Sequence, residues 1–357
     1  MALGCLLAGA LCALPANAQK AVDLQWGMAI QPRFSYGLDA GDDTESAGFG
    51  IRRARLRTVM TYEQKAGLHF DADFAGGTAG VVDLFAFYRM SPNVRLRLGY
   101  LAGPQPRAYI PTGFPFIDGI DRAAIAERWA QSTIGGSGRD FGMEVQYDDR
   151  RTRLAAFVHN GDGNIARANL RRGIAGLSAT GGATTRGIAV SGSASHAIQG
   201  LAGLEVGGFA GYNASRNPNT AATSGDPGRD YATYSAHVYW GAIPGSQPVR
   251  MKAEILGIQY AAAGGAPSQQ ALGVAFTGAA RLVEGSELVA SYEQYAGDTD
   301  ADSDRYVLAG ITFSPSARRG LAYGQERFTL AYLYGAPAGV SASAQHMVVL
   351  QFQFALW

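Results

Sequence analysis

Residues 24–36 alternate without a break: Leu24, Trp26, Met28, Ile30, Pro32, Phe34 and Tyr36 interleave with Gln25, Gly27, Ala29, Gln31, Arg33 and Ser35. A period of two sends successive side chains to opposite faces of an extended strand. The run is about twice the length of a globular strand, roughly 5–6 residues, and matches a tilted strand that crosses a bilayer. Trp26 opens its apolar face and Phe34 and Tyr36 close it, as an aromatic girdle at both interfaces requires. Pro32 lacks an N–H and is expected at a bulge.

The pattern recurs to the end of the chain. Candidate strands lie at 24–36, 51–62, 66–74, 81–89, 94–101, 140–147, 152–160, 185–196, 202–213, 231–240, 249–260, 270–282, 286–295, 305–313, 326–334 and 346–356. An even number lets an antiparallel sheet close with both termini on one side. A soluble sandwich would also alternate, since its strands have a core face and a wet face. Strand length, aromatics near strand ends and the lack of any helical period favour the barrel. A mean hydropathy of −0.03 is no objection, because alternating faces cancel in the average. Beyond Leu14 no run of about 18 apolar residues exists, so a membrane chain of this kind must cross as a closed barrel. The expected fold is all-β: a transmembrane antiparallel β-barrel of about sixteen strands.

At the start, an apolar run from Met1 to Leu14 leads into Pro15-Ala16-Asn17-Ala18, a small-x-small cleavage pattern. We expect a signal peptide at 1–18 and a single barrel domain at 19–357. Neither Lys nor Arg precedes the run, although export signals open with positive charge, so the true start is expected a few residues upstream. Both cysteines, Cys5 and Cys12, fall within this segment, which removes disulfides and thiolate metal sites from the mature chain. Cys5 follows Ala2-Leu3-Gly4, a poor match to a lipoprotein box.

Short connections such as 63–65, 91–93, 148–151 and 243–248 read as periplasmic turns. Gly/Asp/Ser-rich stretches at 37–48, 161–184, 214–230, 261–269 and 296–304 read as outer loops. Residues 102–138 form the longest non-strand segment, with four prolines (Pro104, Pro106, Pro111, Pro115) and a short helix expected over 121–131. Connections of this length in a compact domain are usually functional. The expected role is a third outer loop folded inward to narrow a pore.

Several local sequences resemble the phosphate-selective porins O and P of Gram-negative outer membranes. They are Phe49-Gly50-Ile51-Arg52-Arg53-Ala54-Arg55-Leu56, Leu98-Gly99-Tyr100 with Pro104, Glu127-Arg128, and Gly138-Arg139-Asp140-Phe141-Gly142. Val158-His159-Asn160-Gly161, Lys252-Ala253-Glu254-Ile255-Leu256 and Leu308-Ala309-Gly310-Ile311-Thr312-Phe313-Ser314-Pro315 continue the order. The resemblance implies a sixteen-stranded outer-membrane barrel, a homotrimer, an inward third loop and a lumen ladder of arginines that passes anions. One departure concerns lysine: only Lys20, Lys65 and Lys252 occur here, whereas phosphate-selective members are rich in lumen lysines.

Arg53, Arg55 and Arg57 repeat every second residue, so their guanidiniums share one face; Arg95 and Arg97 do the same on another strand. Arg33 joins that face, and Arg128 and Arg139 flank the long segment. Guanidiniums stay charged at any physiological pH and bind phosphate or carboxylate through paired donors, which suits weak anion sites. Asp71, Asp73, Asp83, Glu144 and Glu254 are the expected acidic partners, and two readings stay open: an anion ladder or a charge-neutral structural lattice. Arg52 breaks parity beside Arg53 and is expected to mark a bulge or an interface charge.

Five histidines, His69, His159, His196, His237 and His346, show no metal-ligand spacing, and no nucleophile elbow or phosphate loop occurs. Ser195 and His196 point to opposite faces. No enzyme activity, cofactor, metal or nucleic-acid partner is expected; the partners are membrane lipid and small anionic or polar solutes. An adhesive or structural barrel and a surface hydrolase are the alternatives. In the last strand Leu350, Phe352, Phe354 and Leu356 share a face, leaving Trp357 on the other.

Overall fold

The computed structural model describes residues 22–39, 44–165, 187–216, 228–262, 267–297, 303–338 and 344–356. The expected signal segment 1–18, Trp357 and much of 161–184 and 214–230 lie outside the described residues.

Sixteen antiparallel strands close into one barrel. They are β1 (Val22–Asp39), β2 (Thr44–Tyr62), β3 (Ala66–Asp73), β4 (Gly80–Arg89), β5 (Val94–Leu101), β6 (Asp140–Asp148), β7 (Thr152–His159), β8 (Ala189–Ala197), β9 (Leu204–Asn213), β10 (Tyr231–Trp240), β11 (Val249–Tyr260), β12 (Gln269–Val283), β13 (Ser286–Ala296), β14 (Asp304–Phe313), β15 (Glu326–Ala336) and β16 (Gln345–Leu356). Each pairs with its neighbours in sequence, and β1 pairs β16 from Met28↔Leu356 to Asp39↔Gln345, which leaves no open edge. Every expected strand is present.

Two expectations at element ends are corrected. Residues 37–48 were expected as a loop, but β1 and β2 run on as a ribbon from Tyr36↔Ala47 to Asp39↔Thr44. Gly, Ser and Thr there carry no apolar signal, yet backbone pairing does not depend on one. The short helix begins later than expected: α1 covers Ala124–Gln131, while Asp121 and Arg122 precede it. Their side chains bind outside the helix, and Ala123 at its N-cap offers no side-chain cap. A second short helix, α2 (Pro315–Arg318), follows β14.

The two faces of the barrel are inverted relative to a soluble protein. Outward, Trp26, Leu68, Leu98, Met143, Leu154 and Leu330 remain large exposed apolar residues. Inward, Arg53, Arg250, Arg327, Gln31, Gln351 and Gln353 are among the largest fully buried side chains. A continuous apolar outer band requires an apolar solvent, and only closure satisfies every backbone group within it.

Register is set by details of the sequence. β1 and β2 slip between Gln31 and Pro32, where the missing proline N–H costs no ladder bond and Arg52 becomes the extra residue. On the inner face Gly67 lies opposite Phe87, whose ring occupies the space that a Cβ would need, 2.5 Å away. The aromatic ring thus covers the glycine.

Candidate functional site

On β1 the inner face carries Gln31 and Arg33, and on β2 it carries Arg53, Arg55 and Arg57. The bulge turns Arg52 toward the same side: its Nε donates to Asp121 Oδ1 at 2.8 Å and its Nη2 to Glu127 Oε1 at 3.4 Å. Arg33 donates to Asp121 Oδ2 at 3.0 Å and to Gln351 at 2.7 Å. One carboxylate on the long segment thereby holds two guanidiniums, with Arg53 a third at 3.9 Å.

The other expected arginines are also placed. Arg53 donates to Gln31 at 2.7 Å, and Gln31 in turn to Gln353. Arg55 pairs with Asp73 at 3.0 Å, and Arg57 stands 3.9 Å from Asp71. Arg97 pairs with Glu144, Arg128 with Asp304 at 3.0 Å and Arg139 with Asp83 at 3.3 Å. Arg95 instead donates twice to Gln146, at 2.6 and 3.1 Å. Glu254 meets none of these arginines; it accepts the N–H groups of Arg107 and Ala108, both at 2.7 Å, and the Tyr239 hydroxyl at 2.8 Å.

Residues 102–139 touch strands all around the barrel wall. Asp118 binds Arg250 and Lys252 on β11, and Arg327 on β15 donates to the carbonyls of Ile117 and Gly119. Glu293 on β13 accepts the Ile125 N–H at the start of α1 at 3.0 Å. Trp129 donates to Thr233 on β10 at 2.7 Å and lies edge-on to Phe209 and Tyr109. Phe114 packs against Ala29 and Ala355, with Arg53 and Arg55 over its ring.

Burial alone would raise the Asp118 and Asp121 carboxyls. Lys252 and Arg250 around the first, and Arg52 and Arg33 around the second, hold both below the ordinary carboxylate range. Burial, and then the nearby Arg139, push the Arg122 guanidinium down to about 10, still charged at neutral pH.

Two cavities flank the segment. The larger, about 960 Å³, opens among the short turns after β4 and β6. Arg57, Arg89, Arg95, Arg97, Arg107, Arg150 and Arg153 line it against Asp83, Glu144, Asp148 and Asp149, an excess of three positive charges. The smaller, about 260 Å³, lies between residues 108–124 and the inner face of β10–β16.

His69, Asp71 and Asp83 bring one donor atom each within 4.8 Å of one another, a juxtaposition made by pairing across β3 and β4 that linear spacing does not reveal. Arg57 and Arg139 already balance the two carboxylates, so no excess negative charge is left to attract a dication.

Sequence reasoning marked Arg52 as a bulge or interface charge without its bonds to Asp121 and Glu127, and missed Arg107, Arg122, Arg250 and Arg327, together with the acids Asp118, Asp121, Glu205, Glu287 and Glu293. Arg250 continues the Lys252, Glu254 alternation on β11 and was open to detection. Asp118, Asp121 and Arg122 sit in an aperiodic segment and gave no such signal.

Sixteen antiparallel strands in a closed cylinder with an apolar exterior and a charged interior define a β-barrel of the porin fold. In structure the chain is similar to an anion-selective porin from Comamonas acidovorans, at 11% identity over 94% of this chain and 100% of that one, with a TM-score of 0.68. It is also similar to OmpF of Salmonella typhi, at 12% identity over 94% and 98% with a TM-score of 0.60. The outer membrane channel DcaP of Acinetobacter baumannii gives 12% identity over 95% and 98% with a TM-score of 0.59. No protein-family model and no curated sequence matches the chain.

Proposed function

We propose that the chain is an outer-membrane porin of a Gram-negative bacterium, a passive channel that prefers small anions and also admits small polar solutes. The observation that carries the anion preference is the larger cavity, where seven arginines face four carboxylates. Fixed charge lining a narrow aqueous space concentrates ions of the opposite sign and repels the other. The porin and channel neighbours support a diffusion pore.

In this reading residues 102–139 fold into the lumen and narrow it. Support comes from their bonds to the polar faces of β1, β2, β10, β11, β13 and β15, which lie on different sides of the closed cylinder. The paired arginines anchor the segment and set its shape, and their fields are largely cancelled at short range. Preference then rests on arginines without a carboxylate, such as Arg95. A homotrimer fits the same reading through one neighbour described as a trimer form.

Phosphate is a weak candidate for the solute, because Lys252 is tied to Asp118 and few other lysines exist. The chain acts as a channel and not as an enzyme.

Reversal potential in a planar bilayer under a KCl gradient tests the proposal. Chloride preference is expected, reduced in Arg95→Gln. Potassium preference, or no conductance from folded protein, would refute it.

A further inference from the structure

One register row crosses the wall of the larger cavity. Arg95 on β5 stands opposite Gln146 on β6, Gln146 opposite Ala155 on β7, and Ala155 opposite Ser193 on β8. All four line the cavity. Arg95 leans along this row, because its Nε and Nη2 both donate to Gln146 Oε1, at 3.1 and 2.6 Å. Gln146 thereby takes two of the five guanidinium N–H groups and leaves the others for a solute. Among the described residues Arg95 forms no ion pair. The acids that flank Gln146 on the same face of β6 are engaged elsewhere, Glu144 with Arg97 and Asp148 with Arg153 at 3.7 Å.

The far end of the row is a wall of hydroxyls. Ser191, Ser193 and Ser195 alternate along β8 and share its inner face with Phe157 and Phe209, the buried cross-strand partners of Ser191 and Ser193. Ser193 and Ser195 line the cavity, and neither hydroxyl has a partner among the described residues. Across Gly207 from Ser195 stands His237, which is buried and also lines the cavity. Ser195 Cβ and His237 Cε1 are 2.8 and 2.6 Å from the point where a Gly207 Cβ would stand, so the two side chains sit side by side. His237 Nε2 is 3.3 Å from Glu205, and its Nδ1 is buried without a partner.

We propose that Arg95 and the wall formed by Ser193, Ser195 and His237 make a binding station for small polyhydroxy carboxylates, the class of sugar acids. This deepens the porin reading and rests on it. The guanidinium, drawn over β6 by Gln146, is two strand spacings from β8, roughly 10 Å. A hydrogen bond of about 3 Å at each end leaves roughly 4 Å, the separation of a carboxylate oxygen from a hydroxyl two or three carbons further along a chain. Ala155 lies between the two ends of the row, and its methyl group leaves room for the carbon chain. The lining as a whole, with seven arginines against four carboxylates, favours a solute that carries negative charge. An alkanoate gains the Arg95 contact only, and a neutral sugar gains the hydroxyl contacts only.

Block of single-channel chloride current by gluconate, hexanoate and glucose tests this. Gluconate and hexanoate share the carbon chain and the carboxylate and differ in the hydroxyls. Gluconate is expected to half-block at a concentration about tenfold below that of hexanoate, the effect of two hydrogen bonds of modest net strength. Glucose is expected to block least. Ser193→Ala combined with Ser195→Ala should bring gluconate to the level of hexanoate, whereas Ser193→Thr, which keeps a hydroxyl, should retain the advantage. Arg95→Gln should raise the half-block concentration of both acids at least about tenfold, the loss of one charge-assisted contact. Hexanoate or glucose blocking as well as gluconate, an advantage unchanged in the double serine variant, or acid block unchanged in Arg95→Gln would overturn the station but leave the porin reading standing. Absence of any channel from folded protein would overturn both.

Discussion

Asp121 is the residue on which the geometry of the long segment makes its sharpest demand. Its carboxylate joins Arg33 and Arg52 at 3.0 and 2.8 Å and lies 3.9 Å from Arg53. Asp121→Asn keeps the shape and removes one negative charge. Of the charged groups in contact there, the three guanidiniums would face Glu127 alone. In water, a unit charge about 6 Å from a permeating ion contributes roughly 0.7 kcal/mol, of opposite sign for anion and cation. The chloride-to-potassium ratio should therefore rise by about 1.4 kcal/mol, roughly tenfold. Reversal potentials measured at about 0.1 M salt read this directly; the effect should shrink near 1 M, where the screening length falls to roughly 3 Å. The two ion pairs are partly exposed, so the loss of stability should stay within about 2 kcal/mol. A ratio unchanged within twofold at low salt, in protein that still shows heat-modifiable mobility, would refute the placement of Asp121 beside the ion path.

Trp129→Ala removes a ring that is 2% exposed together with its bond to Thr233, and should cost about 3–5 kcal/mol of local packing. Because the strands hold the barrel, the loss should appear as protease cleavage within 102–139; an uncut segment would count against the packing argument. Asp118 and Asp121 have folded pKa values below their ordinary 3.8, so they stabilise the segment above that value and lose this contribution as pH falls through the folded pKa. Conductance and protease resistance should hold from pH 7 to about 4 and change only below it, and release of the segment between pH 5 and 7 would contradict the assignment. Gly67→Val would place a Cβ 2.2 Å from the Met60 carbonyl oxygen and 2.5 Å from the Phe87 ring. Overpacking of this kind costs about 1–3 kcal/mol or more, and refolding yield in detergent should fall unless Phe87→Ala is added.

The strands were legible because each must satisfy two solvents at once. Leu24 through Tyr36 show lipid on one face and polar side chains on the other, and that demand writes a period of two into the chain. Pro32 and the parity break at Arg52-Arg53 even marked the one slip between β1 and β2. What misled was the absence of an apolar signal: residues 44–48 form a strand through backbone pairing alone, and Gly, Ser and Thr there look like a loop. The arginines were found by the same periodicity, but their partners were not. Asp71, Asp73, Asp83 and Glu144 were foreseen because they lie on neighbouring strands, whereas Asp118 and Asp121 lie on a segment with no period to read.

By itself, then, the sequence determined the class of fold, the number of strands and the shared face of Arg53, Arg55 and Arg57 and of Arg95 and Arg97, since all three follow from local alternation. Only the tertiary structure decided which charges cancel. Asp121 meets Arg33 across 88 positions of sequence and Asp118 meets Lys252 across 134, through the path of an aperiodic segment. That path is set by packing such as Trp129 on Phe209 and Phe114 on Ala29, contacts that exist only after β1 has closed on β16.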